Sequence, residues 1–119
     1  MIDIRAILVN LVKTATNLNC YYLCPPKEAT FPCIVYNEVS NSDYAVVLNN
    51  EYASIAYTFT VYAVDPVDIF AITKTIDEEL KGAGYIKDYT SPDMYSDGYY
   101  SKTLRFKAIV NHKGDIYNN

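Results

Sequence analysis

The sequence predicts an α+β fold, a two-layer sandwich in which two helices pack on one face of a mainly antiparallel sheet. Three stretches carry that expectation. Tyr52 to Val64 alternates, with Ile55, Tyr57, Phe59 and Val61 on one face and Ser54, Thr58, Thr60 and Tyr62 on the other, the period of a half-buried strand. At Asp65-Pro66 the period changes, and Ile69, Ile72, Ile76, Leu80 and Ala83 recur at helical spacing. Tyr99 to Asn111 alternates again, setting Tyr100, Leu104, Phe106, Ala108 and Val110 against Thr103, Arg105, Lys107 and Asn111, so the last strand has a basic outer face.

Taken in order, the chain opens with Ile4, Ile7, Leu8, Leu11, Val12 and Ala15 on one helical stripe, which predicts a first helix over 2–17. Asp3 suits the positive end of its dipole, and Asn17-Leu18-Asn19 supplies a stop. A short strand over Cys20 to Cys24 ends at Pro25-Pro26, which have no amide to donate. Phe31-Pro32 leads into a strand over Cys33 to Val39 whose faces are both mixed, so hydrophobicity specifies its register poorly.

Ser40 to Glu51 reads as a loop, polar at its ends and apolar at Tyr44-Ala45-Val46-Val47-Leu48. At about ten residues it exceeds the usual hairpin connection and belongs to the class of loops that are more often functional. Its apolar tip either folds back on its own domain or docks on another subunit. Asp65 can cap the second helix, Pro66 sits where a missing N–H does no harm, and Gly82 and Gly84 can end it. Gly84 to Tyr89 then reads as a strand, Thr90 to Gly98 as a loop, and Lys113 to Asn119 as a polar tail that frays in an isolated subunit. The predicted order is α-β-β-β-α-β-β.

With 119 residues, half of them hydrophobic, 20% charged and only 4 glycines, the chain forms one domain, 1–119, around one core. A formal net charge of −4 repels phosphate backbones and anionic lipid, which argues against direct nucleic-acid recognition and membrane binding. No apolar run reaches membrane-spanning length and Met1 to Arg5 lacks signal-peptide character, so a soluble, cytoplasmic chain is expected. The 13 tyrosines fit either ordinary sheet chemistry or a surface that is wet in one state and covered in another.

No catalytic, cofactor or metal site is assigned. Cys20 and Cys24 would stand about 13 Å apart along a strand, too far to share a metal or a disulfide. The three cysteines, with Cys33, are therefore expected to be buried free thiols, and the sole histidine, His112, is distant in sequence. Asp77-Glu78-Glu79 lies in mid-helix, where Asp77 reaches Lys81 and Lys74 reaches Glu78, a solvated ion-paired face. Asp88, Asp93 and Asp97 lack the order of a calcium loop, and no glycine-rich phosphate loop, G-x-S-x-G or H-E-x-x-H occurs.

The order of elements resembles the tail terminator, or tail-completion, proteins of tailed bacteriophages, their neck terminator branch above all. The likeness is carried by the opening helix, the F-P-C-I-V-Y-N-E-V strand, the long Tyr52 to Val64 strand, the helix I-x-x-I-x-x-x-I-x-x-x-L-x-x-x-G-Y, and the last strand Y-Y-S-K-T-L-R-F-K-A. The resemblance implies a structural protein that forms a hexameric ring, caps the tail tube, halts its polymerisation and meets the head connector or stopper. It further implies a place in the virion tail or neck after assembly in the host bacterial cytoplasm, partners in the tail tube protein and the connector, and neither enzyme activity nor cofactor.

Within that reading Tyr44, Val46, Val47 and Leu48 are the residues expected to dock a partner. Arg105 and Lys107 on the last strand, with Lys102, would meet Asp77 and Glu78 of a neighbouring copy and steer the register of a head-to-tail interface. Ring neighbours could also cover the open sheet edges. Two alternatives stand beside it: another head-tail joining protein of the same particle, or a small-ligand-binding or enzymatic α+β domain, which would need a pocket joining Tyr with Cys or Asp.

Overall fold

In the computed structural model, which describes residues 1–117, the alternating stretch becomes the central strand of one open sheet. The elements are α1 (Arg5–Thr16), β1 (Cys20–Tyr22), β2 (Cys33–Val47), β3 (Asn50–Ala63), α2 (Pro66–Gly82), β4 (Ile86–Thr90), β5 (Met94–Ser96) and β6 (Tyr99–Val110). Across the sheet the order is β1-β2-β3-β6-β4, with β5 pairing β6 off that path. Every pairing is antiparallel except the short parallel one between β1 and β2. The α+β sandwich and its element order are as the sequence predicts.

One face of β3 forms the floor of the core: Ile55, Tyr57, Phe59 and Val61 are all but inaccessible. Leu104, Phe106 and Val110 extend that floor from β6, and Leu8 and Val12 of α1 with Ile69, Ile76 and Leu80 of α2 close it from above. Both helices therefore lie on the same face, because only there does each amphipathic stripe find apolar surface. Phe59 and Phe106 meet edge to face with ring centroids 6.4 Å apart, a favoured aromatic geometry. The α2 ends form as expected, with Asp65 accepting from the Val67 amide at 2.9 Å, Pro66 in the first turn and Gly84 at φ 98° just beyond.

The Ser40 to Glu51 segment is not a loop. β2 and β3 continue as one long hairpin to a turn at Leu48-Asn49, where both residues take positive φ, 52° and 67°, as a tight hairpin turn requires. Register shifts at Val39 and Tyr44 break the alternation of β2 twice, which is why this stretch does not read as a strand. The hairpin gives the molecule its length, 50 Å against 25 and 22 Å in the other directions.

Three further departures are local. The Thr90 to Gly98 loop contains β5, which turns into β6 through Asp97-Gly98, both at positive φ. α1 starts at Arg5, not Ile2, because the first residues are drawn to the hairpin: the Ile2 amide donates to Asn41 Oδ1 at 3.2 Å, and Asn41 Nδ2 donates back to the Ile2 carbonyl.

The tail expected to fray from Lys113 is packed through Tyr117. Asn111, expected on the solvent face, is buried and accepts at Oδ1 from the amides of Lys113 and Asp115 at 2.9 and 3.0 Å. That reversal aims the tail back along the sheet, where the Tyr117 amide donates to the Ile109 carbonyl at 2.7 Å. Its ring packs beside Tyr52 and Tyr44, at 5.1 and 5.8 Å. The last two residues of that tail lie outside the described residues.

Candidate assembly surfaces

The hairpin end collects the residues expected to dock a partner. Tyr44 and Val46 are exposed, and Leu48 at the turn is 90% accessible, the most exposed large apolar side chain after the helix and sheet have packed. Val47 is half-buried. Asp43 and Glu51 flank the apolar tip, and both carboxylates lie beside the Met1 amine. An apolar side chain on a left-handed backbone, at full exposure, violates two local preferences at once, and such violations mark functional positions more often than accidents.

A second apolar surface, not found by the sequence reading, lies at the other end of β3. Val64, Val67 and Phe70 are exposed where β3 passes into α2, Phe70 at 69%. Phe70 borders a cavity of about 220 Å³ between α2, β4 and β6, lined also by Thr73, Lys74, Asp77, Lys87, Thr90, Lys102 and Leu104. Phe70 falls one residue off the buried stripe Ile69-Ile72-Ile76, so an apolar residue on the solvent side of that helix was the available signal.

The charged residues expected to pair subunits are mostly engaged within the chain. Arg105 Nε donates to Asp88 Oδ1 at 2.8 Å and its guanidinium sits over the Tyr89 ring, while Lys102 reaches Asp93 at 3.1 Å. Asp77 is held between Lys81 at 3.0 Å and Lys87 at 3.3 Å; its Oδ1 takes no hydrogen bond, so the Lys87 charge is what satisfies it. Glu78 and Lys74 stand 4.0 Å apart. Lys107 alone of the five expected residues makes no ion pair among the described residues, and it projects from the outer face of β6, away from α2.

The two sheet edges differ. β4 presents Lys87 and Asp88 with a register shift between Lys87 and Tyr89, a device that discourages strand addition, whereas β1 pairs only Ile34, Val35 and Tyr36 of β2 and leaves the outer edge of β2 beyond Tyr36 without a strand partner among the described residues. The cysteines are free, as expected, but only Cys33 is buried; Cys20 is half-buried and Cys24 exposed, because β1 stops at Tyr22 and leaves Cys24 on the loop beyond it. Burial pushes the Cys20 thiol up to about 11 and raises Cys33 as well.

Ionisable groups also gather between the chain start and β2, around a cavity of about 400 Å³ lined by Asp3, Arg5, Tyr22, Glu38 and Asn41. They satisfy one another. Arg5 donates to both Asp3 oxygens at 3.0 and 2.9 Å, which holds that carboxyl down to about 2, and the buried Tyr57 phenol donates to Glu38 at 2.7 Å. No group of three or more potential metal ligands occurs among the described residues, and no helix there is long and apolar enough to cross a membrane.

No protein-family model and no curated protein matches the sequence. The fold does have solved counterparts. One is a chain of the virion of a native gene transfer agent (GTA) particle, superposing with a TM-score of 0.60 over 91% of this chain and 87% of that one at 19% identity, so the two share a fold.

Proposed function

We propose that this chain is a structural subunit of a phage or phage-like virion, and within that class a tail terminator or neck protein. It forms a ring, hexameric by analogy with the family it resembles, that caps the tail tube, stops the tube growing and joins the tail to the head connector. No chemical transformation or cofactor belongs to this reading. The observation that carries it is the fold shared, over nearly the whole of both chains, with a component of a virion particle.

The surfaces support the same reading from a different direction. Side chains as apolar as Leu48, Val46 and Phe70 at high exposure, on a molecule that already buries a full core, are what a subunit keeps for its neighbours. Light scattering of the purified chain, alone and with candidate tube protein, tests the proposal. The expected result is a ring-sized species and tubes of restricted length; a chain that stays monomeric and leaves tube length unchanged overturns it. Labelled imaging of particles separates a terminator at the tail end from another joining protein of the neck.

A further inference from the structure

The helices cover one face of the sheet. Toward the other, a pocket forms where segment 25–31, between β1 and β2, folds against the turn from β5 into β6. Tyr62 of β3 lines it from the strand face opposite buried Val61, beside its β6 partner Ser101. Pro25 and Phe31 come from the folded segment, Asp97 and Tyr99 from the turn and the start of β6. Phe31 stacks on Tyr99 with ring centroids 4.2 Å apart and planes 24° from parallel, so the two sides are pinned together before anything binds.

Its chemistry is that of a cation site. Of the lining side chains only Asp97 is charged at neutral pH, so one negative charge stands among the rings of Phe31, Tyr62 and Tyr99. Asp97 meets no cation among the described residues, whereas nearby Asp93 is taken by Lys102 at 3.1 Å. Aromatic faces attract a cation, and a carboxylate beside them adds charge-assisted hydrogen bonds. A guanidinium suits this setting better than an ammonium, because it is planar, stacks on rings, is more weakly hydrated and offers a fork of N–H donors. At about 320 Å³ the pocket lies at the lower end of the usual ligand range of roughly 300–1,000 Å³, which is room for one such side chain. The chain's own arginines are both engaged, Arg5 with Asp3 and Arg105 with Asp88, so a second copy is not the source.

We propose that this pocket receives an arginine side chain presented by a partner protein other than a copy of this chain, its guanidinium against Tyr62 and Tyr99 and its N–H groups donating to Asp97. The rings supply the contact area, and Asp97 decides which sign of charge is accepted. Tyr62 lies at the end of β3 remote from the hairpin turn, so the pocket is a contact separate from the apolar tip. It goes beyond the ring reading and does not depend on it: a ring requires copies of this chain to meet, whereas this site requires a different protein.

An amide NMR titration tests the site, with four probes: N-acetyl-arginine amide, its neutral isostere N-acetyl-citrulline amide, N-acetyl-lysine amide and free arginine. The expected result is saturable shifts at Tyr62, Asp97 and Tyr99 with the capped arginine, and weaker binding of the capped lysine. Binding should fall about tenfold for the capped citrulline, and about tenfold for the capped arginine in Asp97→Asn protein. Asparagine tolerates the φ of 54° at this position and keeps the turn, so a loss in that variant reports the charge and not the fold. Absence of saturable shifts, equal binding of citrulline or lysine, or an unchanged affinity in Asp97→Asn overturns the site. Free arginine binding about tenfold more tightly than the capped form makes the ligand an amino acid and overturns the protein partner. Whether the purified chain forms rings is read separately by light scattering and moves none of these outcomes.

Discussion

The phenol of Tyr57, on β3, donates to Glu38 Oε2 on β2 at 2.7 Å across the strand pair that carries the hairpin. Burial first, and then the bond to Glu38, raise the Tyr57 phenol well above its ordinary value of 10.0. Tyr57→Phe should therefore lower stability by about 1 kcal/mol, since Glu38 loses its partner but keeps access to water. The sign with pH follows. A phenol raised by folding contributes stability that is complete below about pH 10 and declines as pH climbs toward the folded value, because the unfolded chain loses its proton first. Urea midpoints from pH 8 to 11 should fall less steeply above pH 10 in Tyr57→Phe than in the parent. Tyr85, Cys20 and Cys33, also raised by burial, contribute to the slope that remains.

Leu48 provides a prediction in which stability and assembly move in opposite directions. Its φ of 52° is costly for leucine and natural for asparagine. Leu48→Asn should raise monomer stability by about 0.5–1 kcal/mol, read as a higher thermal midpoint, while weakening self-association. A variant that loses both would show that Leu48 belongs to the subunit's own packing.

The expectation for the neighbouring apolar residues is sharper still. Replacing Val47 and Leu48 together with Asp should abolish assembly and leave circular dichroism and the monomer's thermal midpoint close to the parent's. Both positions lie at the hairpin end beyond the helices, so unfolding of this double variant would refute their role as docking residues.

Phe106 and Phe70 form a matched pair of opposite character, the one 1% accessible in the core and the other 69% accessible on α2. Phe106→Ala should cost about 3–5 kcal/mol, a large share of the roughly 5–15 kcal/mol of a typical domain. Phe70→Ala should stay within about 0.5 kcal/mol. Chemical denaturation of the two variants side by side measures the contrast.

Thiol labelling should rank the cysteines by access. Cys24 should react first with an alkylating reagent at neutral pH, Cys20 slowly, and Cys33 only on unfolding.

The sandwich was legible because its core strands and helices keep strict periods: Ile55-Tyr57-Phe59-Val61 and Ile69-Ile72-Ile76-Leu80 each point one way. The hairpin was not, because the bulges at Val39 and Tyr44 shift its register twice and its turn, Leu48-Asn49, lacks the usual glycine. β5 could have been found from Asp97-Gly98, a strong hairpin turn signal set between two tyrosine-rich runs. Asn111 misled for a different reason: strand alternation says nothing of a side chain that turns its own backbone, and Asn111 is spent on holding Lys113 and Asp115. The Phe70 surface escaped because its cavity is made by residues from α2, β4 and β6 that only the folded chain brings together.

The Asn41 and Ile2 bonds at the hairpin's root, with Tyr117 wedged beside Tyr44 and Tyr52, turn the projecting ribbon into a cantilever and not a whip. A floppy arm would surrender about 1–2 kcal/mol of backbone freedom for each residue it froze on contact, whereas a braced one has already given that up during folding. In the proposed assembly, preorganisation of this kind would let the hairpin engage a partner without a conformational change, and the brace would matter to that contact as much as the tip.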